Sequence, residues 1–300
     1  MKVRVPRPGF PYSAPTTPRG VEPLPEEPRW GQDYDTDWAR RTPARYARFF
    51  IVEGPMRAAV RALASPTRRG QDRLDAVRGP VIFAANHHSH LDTPLLLTSL
   101  PDRWRHKVVI AAAADYFFTN RYTSAASALA MGAFPIERKT VSRRSADQAA
   151  ALINEGWSLL IFPEGGRSPD GWGQGHRGGA AYLASRTGVP VVPIHLEGTG
   201  RIFAKGDKKP RPGNTTVTFG APLVSGEGES STRFAARIEA AVAALADEAR
   251  TDWWSARRRA HAGATPSLVG PETTSWRRAW ALGDRRSRSK RKRPAWPDLG

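Results

Sequence analysis

Short apolar runs alternate with helix-like stretches from residue 81 to residue 249, and this alternation constrains the fold more than any other feature. Gly, Pro or polar clusters bound each apolar run, as they bound buried strands. Strands and helices that alternate in this way predict an α/β sandwich with a mixed, largely parallel sheet. The predicted strands are 81–85, 108–113, 133–136, 159–162, 191–195 and 215–219. The predicted helices are 142–155, 179–186, 232–249 and one that begins at Pro94 with Thr93 as its N-cap.

The flanking segments differ from this core in composition. Residues 1–35 are rich in proline and lack apolar periodicity, which predicts a disordered arm. Residues 36–250 are predicted to form a single domain with a motif core at 80–222. Its first segment, 38–63, places apolar residues between arginines at helical spacing, with interruptions near Pro43 and Pro55. This segment is either an amphipathic helix on an anionic membrane surface or a helix packed on the domain.

The chain is strongly basic, with a net charge of +18, so its partner is expected to be anionic: nucleic acid, anionic lipid or a phosphorylated substrate. Residues 251–300 form a basic C-terminal extension with twelve Arg or Lys residues against four acids. Its tryptophans either contact a membrane interface or pack across the domain; they are Trp253, Trp254, Trp276, Trp280 and Trp296.

Several classes of protein are excluded. The chain has no cysteine, so disulfides, thiolate zinc sites and a cysteine nucleophile are absent. No window reaches the ~20 apolar residues of a membrane span, and the N-terminus lacks the apolar core of a signal peptide. We therefore expect a cytoplasmic protein without a transmembrane span.

The segment from Asn86 to Asp92 follows a predicted buried strand directly. Residues five apart on one helix point about 140° apart, so His87 and Asp92 can meet only if a loop joins them. Such a loop is expected between the strand and the next helix, and a carboxylate on the far nitrogen of an imidazole makes a general base. Taken alone, the pattern favours Asp92 as a helix cap. A serine nucleophile at Ser89 and a histidine metal site have little support from spacing.

Three further segments contain predicted strands. Residues 132–138 deliver Arg138, a residue type that binds phosphate in a bidentate manner. Residues 159–168 deliver Glu164, Gly165, Gly166 and Arg167, a glycine turn whose amides and charge suit a phosphate. Residues 188–194 are a proline-punctuated strand that contains Pro193 and has no ionisable group.

The four segments, in this order and at these distances, resemble the glycerolphosphate and lysophosphatidate acyltransferase family over residues 80–222. Its first block matches Asn86-His87-x-Ser89-x-x-Asp92, and its second matches 132–138. Its third matches Phe162-Pro163-Glu164-Gly165-x-Arg167-Ser168, and its fourth matches 191–194. The resemblance implies the single-domain αβ sandwich of that family.

The resemblance also implies roles for the matching residues. His87 is the general base on an acceptor hydroxyl and Asp92 orients it, while the segment around Pro193 lies by the acyl donor. Gly166 replaces the usual threonine of the family, which leaves the acceptor open, and Arg177 stands near the position of a family lysine. The residues expected to bind substrate are Asn86, Ser89, Arg138, Glu164, Gly165, Gly166, Arg167, Ser168, Arg177 and Pro193.

The implied activity is an O-acyltransferase of phospholipid biosynthesis, with acyl-CoA or acyl-ACP as donor and 1-acyl-sn-glycerol 3-phosphate as the first choice of acceptor. The hydroxyl attacks the thioester directly, and no cofactor, metal or acyl-enzyme is needed. Expected partners are the thioester donor, a phosphorylated lysolipid, an anionic membrane surface and, with acyl-ACP, acyl carrier protein. The expected location is peripheral, on the inner face of the cell membrane.

Two alternatives stay open. In the first, the protein is an acyltransferase whose acceptor is a lysophospholipid with a head group, dihydroxyacetone phosphate or a glycolipid. In a different class of function, Arg285 to Arg293 would bind the phosphate backbone of a nucleic acid. The second alternative leaves the four segments of the core unexplained.

Overall fold

The computed structural model describes residue 31 and residues 33–137, 143–168 and 171–269. Within these residues seven strands form one sheet in the order β1-β7-β6-β2-β5-β3-β4. All neighbouring strands are parallel except β6 and β7, so the predicted mixed, largely parallel α/β fold is confirmed. The strands are β1 (Pro66–Arg69), β2 (Ile82–Ala85), β3 (Val108–Ala113), β4 (Ala133–Ile136), β5 (Ser158–Ile161), β6 (Val191–Glu197) and β7 (Thr215–Phe219).

Helices connect the strands and cover both faces of the sheet. They are α1 (Thr42–Ile51), α2 (Arg57–Ala64), α3 (Asp92–Ser99), α4 (Asp102–Arg105), α5 (Ala114–Phe117), α6 (Arg121–Met131), α7 (Arg143–Asn154), α8 (Gly179–Thr187), α9 (Thr199–Ile202), α10 (Ser231–Arg250) and α11 (Trp253–His261). Short 3₁₀ turns lie at Asp37–Arg40 and Gln71–Leu74.

The core consists of two apolar layers, one on each face of the sheet. Side chains alternate along a strand, so Phe83 of β2 packs in one layer with α2 and α3, and Ile82 packs in the other with α7, α8 and α10. Both faces of β2 are fully buried, which explains its continuous apolar sequence. The carboxyl ends of β2, β5 and β6 therefore meet at one edge of a rigid sheet.

Most boundaries of the predicted elements lie within two residues of the expected ones, but other features differ, among them the short helices α4, α5 and α9, which were not expected. Helix α3 begins at Asp92, so Thr93 is not its N-cap, because the Asp92 carboxylate accepts backbone N–H groups from the turn before the helix. Strand β1 was not expected, since an edge strand with a polar sequence lacks the apolar signature. Helix α6 was also not expected; Asn120 caps its start and Gly132 ends it with a positive φ.

The N-terminal segment 38–63 is not one helix. Pro43 lies in the first turn of α1, where proline is tolerated, whereas Pro55 lies in a π-helical turn, Val52–Met56, between α1 and α2. On α1, the side chains of Tyr46 and Phe50 are 65% and 69% exposed, so this helix presents aromatic groups to its surroundings.

Part of the predicted C-terminal extension is helical. Helix α11 packs on α10, where Arg259 binds both carboxylate oxygens of Asp247 at 2.6 and 2.8 Å. Trp253 and Trp254 stack on each other and stay exposed, so they do not pack across the domain. Trp276, Trp280 and Trp296 lie outside the described residues, as does nearly all of the predicted arm at 1–35.

Candidate active site

The site lies at the sheet edge where β2, β5 and β6 end. The loop after β2 carries His87 and leads into α3 at Asp92. The loop after β5 carries Glu164 and Arg167. Because the three strands are parallel neighbours, their following loops come together at this edge, as in other open α/β sheets.

His87 and Asp92 contact each other as the loop between them predicts. His87 Nδ1 lies 2.8 Å from Asp92 Oδ2, which also accepts the backbone N–H groups of His88 at 2.7 Å and Ser89 at 2.8 Å. Asp92 is fully buried, whereas 18% of the His87 side chain is exposed. A carboxylate only accepts hydrogen bonds, so Nδ1 carries the proton and Nε2 presents its lone pair. The arrangement suits an oriented general base.

The His87 ring is also fixed from its face. It stacks on Phe162 with ring centroids 4.1 Å apart and an interplanar angle of 18°. Phe162 directly follows β5, so the loop after β2 and the loop after β5 both hold the His87 imidazole. A base held by a carboxylate and an aromatic face loses little freedom when substrate binds.

Glu164 anchors the two loops to each other. Its Oε1 accepts the backbone N–H of His87 at 2.9 Å, and its Oε2 accepts that of Gln174 at 3.0 Å. The side chain is 3% exposed. Burial, opposed by these two hydrogen bonds and aided by the negative charges of Asp92 and Glu239, raises the pKa of Glu164 to about 7. Both oxygens are thus engaged by backbone, and a direct contact of Glu164 with substrate stays a prediction.

A cavity of about 130 Å³ opens beside His87, and we call it the dyad cavity. Its walls combine apolar groups with the glycine turn after β5. Gly166 faces open space, with no atom within 4 Å of the point that a Cβ would occupy. Glycine in place of the family's usual threonine therefore leaves room beside the loop after β5. The lining includes His87, His90, Tyr116, Met131, Phe162 and Arg167.

Arg167 is the cation of the dyad cavity. Its guanidinium lies 5.5 Å from the ring centroid of Tyr116, and its Nη1 is buried without a hydrogen-bond partner in the described part of the chain. A buried donor without a partner is costly, and an anion in the cavity would satisfy it. Arg138, the other predicted phosphate ligand, lies outside the described residues.

Four predicted substrate-binding residues are engaged elsewhere. The Asn86 amide bridges to Leu196 of β6, donating to its carbonyl at 2.9 Å and accepting its N–H at 2.7 Å. Ser89 Oγ donates to the Phe203 carbonyl, and Ser168 Oγ donates to that of Trp172. Pro193 lies inside β6 and lines a small cavity with α10 rather than the dyad cavity. These groups hold the framework of the site, and substrate contacts by them stay predictions.

Gly165 and Arg177 form one contact. Gly165 has a φ of +71°, and a Cβ there would lie 2.8 Å from the Arg177 guanidinium carbon. Only glycine lets Arg177 cross the turn this closely. Arg177 thus lies beside the loop after β5, against the wall of an apolar groove of about 420 Å³ that also includes Phe134, Ile161 and Phe162.

Two site residues had no assigned role before the structure. Tyr116 of α5 lines the dyad cavity, and its hydroxyl lies 3.1 Å from His90 Nε2. Burial and the nearby charge of Arg167 lower the pKa of His90. The position of His90 two residues before Asp92 was a signal for its place in the loop, whereas nothing in the sequence links Tyr116 to the site. Among the described residues, no group of three or more His, Asp or Glu could hold a metal ion.

Comparison with known proteins gives one matching family. The Acyltransferase family model matches residues 65–197, which contain β1 to β6 and both site loops. A chloroplastic 1-acyl-sn-glycerol-3-phosphate acyltransferase of Brassica napus is 34% identical over 143 residues, which are 47% of this chain and 39% of that protein. The 1-acyl-sn-glycerol-3-phosphate acyltransferase of Pseudomonas aeruginosa is 38% identical over 92 residues, or 30% of this chain and 35% of that one. The matches thus span less than half of these relatives.

A solved structure has the same fold. The crystal structure of the 1-acyl-sn-glycerophosphate acyltransferase from Thermotoga maritima superposes with a TM-score of 0.53 over 72% of this chain and 84% of that one, at 21% identity. At this identity the likeness supports the fold, and the family resemblance itself is confirmed by the family model and the sequence relatives.

Proposed function

We propose, from the match of residues 65–197 to the Acyltransferase family model, that the protein transfers a fatty acyl group from an acyl thioester to a hydroxyl of a phosphorylated lysolipid. The first choice of acceptor is 1-acyl-sn-glycerol 3-phosphate, which would yield phosphatidic acid. The observation that carries the proposal is one cavity that holds both an oriented imidazole and a buried, unpartnered guanidinium nitrogen.

The proposed reaction uses His87 as the base. Its Nε2 takes the proton of the acceptor hydroxyl while that oxygen attacks the thioester carbonyl. The imidazolium that forms is stabilised by Asp92 and then returns the proton to the leaving thiolate. A thioester is already activated, so no acyl-enzyme is required.

The proposed acceptor site uses charge and apolar surface together. Arg167, with Arg138 as a second expected ligand, binds the phosphate, and the apolar groove beside Phe162 suits a fatty acyl chain. The missing side chain at Gly166 keeps a second acceptor class open, since the added room would admit a lysophospholipid with a head group.

We also propose a peripheral position on an anionic membrane. No helix in the described ranges is long and apolar enough to cross a bilayer. The exposed Tyr46 and Phe50 of α1, beside the exposed Arg45 of the same helix, supply the aromatic and basic groups of an interfacial helix. The inner face of the cell membrane remains the proposed location.

Acyl transfer is tested by thiol release from acyl-CoA and acyl-ACP across a panel of acceptors. We expect release that depends on 1-acyl-sn-glycerol 3-phosphate. His87→Ala should lower kcat by about 10²- to 10⁴-fold, the usual contribution of a general base, and Asp92→Asn should also lower it because it removes the acceptor that orients Nδ1–H.

His261→Ala, at an exposed histidine of α11, serves as the matched control and should keep full activity. Circular dichroism should report folded protein for all three variants. Near-normal turnover by folded His87→Ala would exclude the proposed mechanism, and absence of acceptor-dependent release with every acceptor would exclude the function.

A further inference from the structure

A second cavity of about 500 Å³ lies next to the active-site loop and shares no lining residue with the dyad cavity. His87 lines the dyad cavity, whereas the next residue, His88, lines the second one. We call it the carrier cavity. Its chemically relevant lining consists of His88, His195, Glu197, Arg201, Lys205 and Arg250.

Cations dominate the rim of the carrier cavity. Arg201, Lys205 and Arg250 are exposed, and Glu197 is the one carboxylate among the lining residues that the structure describes. Arg201 follows β6 in α9, and Arg250 ends α10, so separate elements bring the two guanidinium groups to one opening. Within the described residues neither arginine is held by an ion pair to a carboxylate. Their charge is therefore available to an anion that enters.

A buried histidine with an unpartnered nitrogen lines the carrier cavity. His195 is 5% exposed, and its Nδ1 is buried with no hydrogen-bond partner in the described chain. Burial and the charges of His88 and Arg250 lower the pKa of His195 to about 3, so its imidazole is neutral and offers one N–H donor. A buried imidazole nitrogen is normally paired, and an oxygen atom of a ligand in the carrier cavity would pair that of His195.

We propose that the carrier cavity binds a phosphate group of the acyl carrier, either coenzyme A or the phosphopantetheine arm of acyl carrier protein. The inference rests on the proposed function, which supplies a thioester donor. Arg167 is assigned to the acceptor phosphate in the proposed function, so a second cationic cavity with separate lining fits the second phosphorylated substrate.

The position of the carrier cavity fits this role. The Cα atoms of His87 and His88 are about 3.8 Å apart, so the two cavities adjoin the same turn. The flexible pantetheine arm joins the thiol to the phosphate in both carriers. It can therefore leave the thioester at His87 while its phosphate lies among Arg201, Arg250 and His195.

The test is the double variant Arg201→Ala/Arg250→Ala in the full chain. We expect it to raise the donor KM about tenfold, with little change in kcat or in the acceptor KM, because the arginines contact a part of the donor far from the reacting bond. Equilibrium binding of CoA, measured by calorimetry without acceptor, should weaken by about the same factor. Arg233→Ala is the matched control, since this exposed arginine lies on α10 about 25 Å from Arg250.

Three probes distinguish the sources of the phosphate. If the double variant has a larger KM than the wild type for both acyl-CoA and acyl-ACP, the cavity binds the phosphate that the two carriers share. If its KM is larger for acyl-CoA alone, the cavity binds the phosphates found only in CoA. A pantetheine thioester, which has no phosphate, should show no difference between wild type and the double variant. An equal loss with that thioester would overturn the proposal.

Failure of the site and failure of the function give different results. If the double variant transfers acyl groups with unchanged donor KM and unchanged CoA affinity, the proposal for the carrier cavity is overturned. The proposed function would then be unaffected. Arginine-dependent binding of CoA by a wild-type protein that transfers no acyl group supports the cavity and overturns the function.

Discussion

Single residues of the site are held by backbone contacts from two loops. Asp92 Oδ2 accepts three N–H groups within one turn, and Glu164 ties His87 to the loop of Gln174. The carboxylates of Asp92 and Glu164 thus have different structural roles in the site. Asp92 fixes the base, whereas Glu164 fixes the separation of the two loops that the base lies between.

The burial of Glu164 predicts a dependence of stability on pH. Its pKa rises from 4.5 to about 7 on folding, so the folded state holds this proton more tightly than the unfolded state. The stabilisation is complete below pH 4.5 and is lost as the pH rises to about 7. Between these limits the wild type should lose about 3 kcal/mol of unfolding free energy relative to Glu164→Gln, which does not titrate. Urea denaturation of both proteins across this pH range measures the difference, and parallel stability curves would contradict it.

At the scale of secondary structure, short polar bridges between strand ends set the geometry of the site. The Asn86 amide connects the carboxyl end of β2 to Leu196 in β6 through both of its polar groups. This buried bridge keeps the loop of His87 beside the end of β6. The carboxyl ends of the two strands are therefore joined by a side chain as well as by their backbone ladder.

Asn86→Ala should lower the unfolding free energy by about 2–4 kcal/mol, because it leaves the N–H and C=O of Leu196 buried without partners. Chemical denaturation measures this loss. Asn214→Ala, at an exposed asparagine before β7, should change stability by less than about 0.5 kcal/mol. If Asn86→Ala were fully stable but had a higher acceptor KM, Asn86 would be a substrate ligand instead.

The sequence predicted the buried elements well because their signal is local. The apolar run of β2, the alternation of strands and helices and the loop that joins His87 to Asp92 all follow from short-range pattern. The edge strand β1 has no such signal, since its polar residues pair with β7 through the backbone alone. Tyr116 and the carrier cavity depend on contacts between distant segments, and no periodicity encodes those.

At the scale of the whole molecule, charge and exposed aromatic groups point to an anionic surface. The chain has a net charge of +18, and α1 combines the exposed Arg45 with the exposed Tyr46 and Phe50. Coulombic attraction and apolar insertion act together at a membrane, whereas the phosphate backbone of a duplex nucleic acid is bound through charge. The two partners can therefore be told apart by removing the aromatic rings.

We expect Tyr46→Ser/Phe50→Ser to weaken binding to phosphatidylglycerol vesicles about tenfold or more, because each ring buries apolar surface at the interface. Vesicle sedimentation measures the affinity. Val224→Ser, at a side chain that is 61% exposed, is the control and should bind as the wild type does. Unchanged vesicle binding, together with tight binding to duplex DNA, would favour the nucleic-acid alternative.

The adjacency of the two cavities has a consequence for how substrates enter and products leave. His87 and His88 are successive residues of one loop, yet each faces a different cavity. If a bilayer-dissolved acceptor enters by one and a water-soluble carrier by the other, the two reactants never share an entrance. The acylated lipid can then return to the bilayer while the free thiol of the carrier diffuses into water. The release of one product does not depend on the release of the other.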